Sequence, residues 1–123
     1  MKPKRPKFNA PAAKRKLDKL WSAAVRKRDG HCTFCGKTDG RLNANHIMSR
    51  KWLATRWDMD NGHALCFYCH TRVFHADPVT GFYKLCSQYS LDKIAAMYHK
   101  ATQKIQFDEA FYATRLIELQ KLQ

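Results

Sequence analysis

Four of the five cysteines in this chain stand at 32, 35, 66 and 69: a C-x-x-C pair, thirty residues, and a second C-x-x-C pair. Two such knuckles offer four thiolates to one tetrahedral Zn²⁺, and each short loop lets both of its sulfurs face a single ion. Gly36, directly after Cys35, suits a tight turn there. A pair of disulfides is the competing use of these residues, and reducing conditions inside a cell disfavour it. A redox site is another, but a single C-x-x-C suffices for that and neither lies in a βαβ pattern. A structural zinc held by Cys32, Cys35, Cys66 and Cys69 is therefore expected, with no position left open for substrate. Cys86 has no partner at that spacing and reads as a small apolar core residue.

Five of the six histidines (31, 46, 63, 70 and 75) fall between residues 31 and 75, in and around the knuckles, with asparagines at 45 and 61 beside them. Hydrolysing a phosphodiester at neutral pH needs a base to activate water and a cation to neutralise charge on the phosphate. Histidine suits the first task because it titrates near neutrality. Neutral imidazole and side-chain carbonyl oxygen suit the second.

The rest of the chain must position this cluster and bring it to a substrate. With 123 residues, 45% apolar and 27% charged, the composition is that of an ordinary globular domain. The net charge is +13, and residues 1–28 hold eleven Lys/Arg against one acid, Asp18. A basic arm on a nearly balanced body points to a polyanion, nucleic acid before membrane. No stretch approaches the ~18–20 apolar residues of a membrane span, and the basic, proline-bearing start lacks the apolar run of a secretory signal. A soluble, intracellular protein is expected.

Residues 1–11 read as a flexible basic arm and 12–123 as one domain, with its core at about 17–77. Leu17, Leu20, Trp21, Ala24 and Val25 fall at helical spacing between Ala12 and Arg28, and Asp29-Gly30 ends that helix. Arg41–Met48 is β-like, 49–60 is a long connection, and Asn61-Gly62 marks a turn. A short helix is predicted at about 67–76, closed by Asp77-Pro78. Two further helices are predicted in the stretch 90–122, one capped by Ser90 and one from about Phe107 to Leu122.

The run Asn45-His46-Ile47, then Asn61 five before Cys66, then Cys66-Phe67-Tyr68-Cys69-His70, resembles the HNH nuclease family in its zinc-knuckle form. The stretch from Val25 through Arg28-Asp29-Gly30-His31 to Cys35 is similar to that family's helix, turn and first knuckle. Within the family the chain looks most like phage recombination nucleases of the NinG (Rap) type, through Arg56, Trp57, Asn61, His63 and the second knuckle. The resemblance implies an α+β fold: a small zinc-stapled ββα-metal core with flanking helices and the basic N-terminal arm. It implies a metal-dependent DNA endonuclease in which His46 is the general base and Asn61 fixes the loop and the orientation of His46. In some relatives an asparagine in this region ligates the ion directly. Asn45 and His70 are implied ligands of one Mg²⁺ or Mn²⁺. The expected partner is duplex or branched DNA, with a homodimer as the candidate assembly. The expected location is the cytoplasm of a bacterial or phage-infected cell.

Two departures matter. Asn45 stands where the family usually has aspartate, which favours a competing reading as a non-catalytic, zinc-dependent nucleic-acid-binding module. Many members also carry a metal-side residue four positions after the last histidine; here that is Phe74, with His75 one further on. A regular helix rotates i+5 about a hundred degrees away from i+4, so His75 can join the site only if the helix is distorted there. Arg50, Lys51 and Arg56 are expected phosphate contacts near the site. Lys2, Lys4, Arg5 and Lys7 are expected contacts of the arm. His63 is expected to face solvent or support the knuckle, His31 to pad the zinc, and Trp52 and Trp57 to pack in the core.

Overall fold

A computed structural model of the protein describes residues 2–4 and 6–123; Arg5 lies outside the described residues. Helix α1 spans Ala10–Asp29. The Asn9 side chain accepts from the backbone N–H of Ala12 at 3.0 Å and Pro11 sits in the first turn, so the helix starts two residues before the predicted Ala12. It ends at Gly30, whose φ of 68° lets its N–H return to the Arg26 carbonyl.

Strand β1 (Leu42–His46) pairs antiparallel with β2 (Gly62–Cys66), with Asn45 opposite His63 and His46 opposite Gly62. The connection between them is not featureless. It holds a short helix α2 (Leu53–Arg56) and a 3₁₀ turn (Met59–Asn61). Beyond β2 comes a π-helix over Cys69–His75, then α3 (Pro78–Gln88), α4 (Leu91–Ala101) and α5 (Glu109–Gln120). The fold is α+β, helices around one two-stranded antiparallel sheet.

Helix α3 corrects the sequence reading. Asp77-Pro78 does not merely close the preceding helix: the Asp77 carboxylate accepts from the Thr80 N–H and Pro78 occupies the first turn of α3. Cys86 lies on α3, only partly buried.

Two apolar clusters hold the sheet in place. Leu17, Trp21 and Val25 of α1 pack with Trp57, Tyr112 and Leu119, which clamps α5 onto α1. Each such side chain contributes about 1.5–3 kcal/mol by leaving water. On the other side Cys32, Leu65, Cys66 and Cys69 pack with Phe34, Leu42 and Phe74. Gly62 is required where α1 meets the sheet. A Cβ there would overlap the Trp21 ring and stand 2.9 Å from Val25 Cγ2. Among the described residues, no helix is long and apolar enough to cross a membrane.

Candidate active site and metal centre

Cys32 and Cys35 lie in the turn after α1, Cys66 ends β2 and Cys69 opens the π-helix. Their four sulfurs lie within 4.8 Å of one another. Gly36, at φ 79°, returns its N–H to the Cys32 carbonyl at 2.7 Å, closing the first knuckle. The Cys69 N–H points at Cys66 Sγ at 3.4 Å in the second. Cys35 Sγ and Cys66 Sγ are 3.8 Å apart, the edge of a tetrahedron with metal–sulfur bonds of about 2.3 Å. The donor set fits a structural Zn²⁺. Burial raises the Cys32 thiol, yet N–H groups of Cys66, Cys35 and Phe34 hold it down to about 7. Burial and the neighbouring sulfurs push Cys69 up. Cys32 is thus drawn towards its thiolate near neutral pH, and a bound cation would favour the thiolate of Cys69.

Beside this centre a groove of about 1060 Å³ opens along the free edge of β1, and Asn45, His46, His70 and His75 all line it. His46 is the most constrained of them. Its imidazole stacks on the Trp21 indole with centroids 4.0 Å apart and planes within 9°. Its Nε2 donates to the Arg56 carbonyl at 2.8 Å. A carbonyl can only accept, so in the neutral ring Nδ1 carries the lone pair. Burial holds the pKa of His46 below the ordinary 6.5, which keeps that lone pair available at neutral pH.

The Arg56 carbonyl is itself anchored. The Arg56 guanidinium donates to both oxygens of Asp18 at 3.0 and 2.7 Å, and Trp57 Nε1 donates to Asp18 Oδ1 at 2.8 Å. Arg56, expected at a phosphate, is therefore a structural cation whose side chain is only 12% exposed. Asn61 is also a structural residue in this arrangement. It is fully buried; its Nδ2 donates to the carbonyls of Met48 and Thr55, and its Oδ1 accepts from the Met48 N–H. Fully buried and held by three hydrogen bonds, Asn61 pins the loop after His46.

The π-helix brings His70 and His75 together. The Ala76 N–H reaches the Thr71 carbonyl, five residues back, at 3.2 Å, and in such a coil i and i+5 share a face. Their Nε2 atoms lie 3.1 Å apart. Two imidazoles bound side by side at about 2.1 Å from one metal bring their nitrogens to about this separation. Burial first, and then repulsion from His75, lower the pKa of His70, so it stays neutral at pH 7. Asn45 is 2% exposed, and its Nδ2 meets His63 Nε2 at 2.8 Å. Among the described residues no donor reaches Asn45 Oδ1. Among the described residues no buried side-chain oxygen lacks a partner, so Oδ1 keeps contact with solvent, and Asn45 lines the groove. An amide oxygen with two imidazoles would suit Mn²⁺ better than Mg²⁺.

Of the two places expected for His63 the structure excludes solvent: it is buried in the sheet, against Thr33 and Phe34 of the first knuckle. His31 is exposed and tied to the Asp29 carbonyl at 2.6 Å. Trp57 packs in the core and Trp52 is half-buried. Arg50 and Lys51 are exposed, Arg50 on the groove, and Lys2, Lys4 and Lys7 are exposed on the arm. Sequence reasoning missed Trp21 as the platform under His46, and also Lys19, Arg26 and Arg41, which line the groove. The signal for two of these was available, since Lys19 and Arg26 lie on α1 beside the apolar stripe.

Residues 32–75 match the family model described as HNH endonuclease. No curated protein and no solved structure matches the chain.

Proposed function

We propose, from the HNH endonuclease domain that the chain carries over residues 32–75, that the protein is a metal-dependent DNA endonuclease. The observation that carries this reading is the convergence on one groove of a histidine with a free Nδ1 and a pair of histidines with facing Nε2 atoms. His46 Nδ1 takes the proton of the attacking water, while the Arg56 carbonyl and the Trp21 ring keep the imidazole from turning. Asn45 Oδ1, His70 and His75 would hold one divalent ion, which supplies positive charge against the phosphate oxygens when bound. Lys19, Arg26, Arg41 and Arg50 line the groove and would take the flanking phosphates, with the products ending in 3′-hydroxyl and 5′-phosphate. The similarity to NinG-type recombination nucleases makes a branched duplex the first substrate to compare with a plain one.

One observation favours a second reading, a zinc-dependent nucleic-acid-binding module without catalysis. Asp18 is the one carboxylate lining the groove among the described residues, and its oxygens are occupied by Arg56 and Trp57. Supercoiled plasmid incubated with Mn²⁺ or Mg²⁺, with and without EDTA, separates the two. The endonuclease nicks or linearises it only with the ion; retention on DNA without cleavage under any divalent metal establishes the module.

A further inference from the structure

We propose that His63 is a positioning residue whose hydrogen bonding decides which atom of the Asn45 amide faces the groove. The inference rests on the ion-binding reading above. A carboxylate presents oxygen whichever way it is turned. An amide does not: one edge is a ligand and the other is a pair of N–H donors that repel a cation. A chain with Asn45 in this place needs something to fix the amide.

The structure contains a directional relay that does this. The Thr33 hydroxyl has one proton and stands 3.2 Å from the Ala64 carbonyl, which can only accept, and 3.0 Å from His63 Nδ1; the relay gives the proton to the carbonyl. In that arrangement Thr33 Oγ1 accepts from His63 Nδ1, and the ring proton sits on Nδ1. Nε2 is left as an acceptor and takes the Asn45 Nδ2 proton at 2.8 Å. The amide nitrogen is drawn into the sheet and Oδ1 is turned out. His63 can act this way because it stands directly opposite Asn45 in the strand register and is fully buried, packed edge-on against Phe34 and Phe74. Thr33 is braced in turn, since its N–H donates to the Ala64 carbonyl at 2.9 Å and Gln88 donates to its carbonyl. His63 does not line the groove.

Two measurements on the zinc-loaded protein test this. Nitrogen-15 NMR of the parent reads the tautomer: Nδ1 protonated and Nε2 unprotonated, with a coupling across the hydrogen bond to Asn45 Nδ2. The opposite tautomer overturns the proposal, without any variant having to fold. Mn²⁺ binding, followed by EPR of the free ion, reads the consequence. His63→Leu should weaken it about tenfold, the low end for a lost partner of a ligand, and His63→Gln, which keeps an acceptor, should weaken it less. In the Asn45→Asp background the same His63→Leu change should cost under about twofold, because a carboxylate needs no fixing. Equal losses in both backgrounds, or no loss in either, overturn the relay while leaving the groove an ion site. A parent that binds no Mn²⁺ beyond its zinc overturns the ion-binding reading, and the relay's role with it.

Discussion

The carboxylate of Asp18 on helix α1 grips the guanidinium of Arg56, and the backbone carbonyl of that same Arg56 receives the Nε2 proton of His46. A helix residue thus sets the ring that is proposed to do the chemistry, through one intervening residue. His46→Ala should lower cleavage about 10²- to 10⁴-fold, the usual worth of a general base. Zinc content and DNA binding should be unchanged, since binding rests on Lys and Arg contacts. His70→Ala should instead regain part of its activity at high Mn²⁺. Plasmid cleavage across a Mn²⁺ series distinguishes the two; a fully active His46→Ala protein removes His46 from the site.

Asp18→Ala leaves Arg56 and the Trp57 N–H without their acceptor. The Asp18 side chain is 30% exposed, so solvent discounts the pair, and a loss of about 2 kcal/mol is expected in urea denaturation. Cleavage should fall further than stability explains, about tenfold under conditions where the variant is fully folded. Asp18→Asn, which keeps an oxygen for Trp57, should be milder in both.

Burial presses His63 down to about 4 from its ordinary 6.5. Between these values the unfolded chain binds the proton and the folded one does not, so stability rises with pH across this window. It is fully present above about 6.5 and declines as pH falls towards about 4, by about 3 kcal/mol in total. Urea midpoints of the parent and His63→Gln from pH 4 to 7 isolate this part from the acid release of zinc common to both. The difference between the two proteins should change steadily across the window and be flat above it.

His46 must be neutral to act, and its pKa lies below 6.5. At saturating Mn²⁺, kcat/KM should already be level at pH 7 and fall only on the acid side of 6.5. An acid limb centred above pH 7 contradicts the buried, carbonyl-bonded imidazole.

Removing zinc should unfold the core, because the four thiolates tie the turn after α1 to the end of β2 and the start of the π-helix. About one zinc per chain is expected, resisting an EDTA concentration that already stops cleavage. A metal-free protein with the melting curve of the zinc-loaded one refutes this.

Deleting residues 2–7 removes four positive charges and spares the Asn9 cap of α1. If all four contact duplex phosphates, the slope of log affinity against log salt should fall by about 3.6. An unchanged slope makes the arm a bystander in binding.

Much of this was legible in the sequence because zinc knuckles and helix caps are local. Cys32, Cys35, Cys66 and Cys69 announce themselves by spacing, and Gly30 and Ser90 mark helix boundaries within a residue or two. What stayed hidden depends on contacts across the fold. Nothing near His63 in sequence reveals Thr33 or Asn45, thirty and eighteen residues away. Arg56 looks like any basic residue beside a site until Asp18 is found against it, 38 residues back. Helix α3 was missed because Asp-Pro punctuates chains in both senses, ending one helix or capping the next. The His70–His75 pairing follows from a five-residue repeat that α-helical counting excludes, although the sequence already made distortion the condition for it.

The Trp21 stack also has a bearing on handedness. With one face of the His46 ring against indole and one nitrogen tied to the Arg56 carbonyl, the remaining lone pair points along a single bearing, in the ring plane and outward from Nδ1. In-line displacement puts the attacking oxygen, the phosphorus and the departing oxygen on one axis. On the proposed reading, that axis has a fixed sense in the frame of the protein, and a nucleic-acid strand has a 5′-to-3′ direction. Only one of the two ways of laying a strand along the groove then points its leaving group away from His46. Trp21, wedged over a glycine and taking no part in the proton transfer, would dictate which way round the strand must lie.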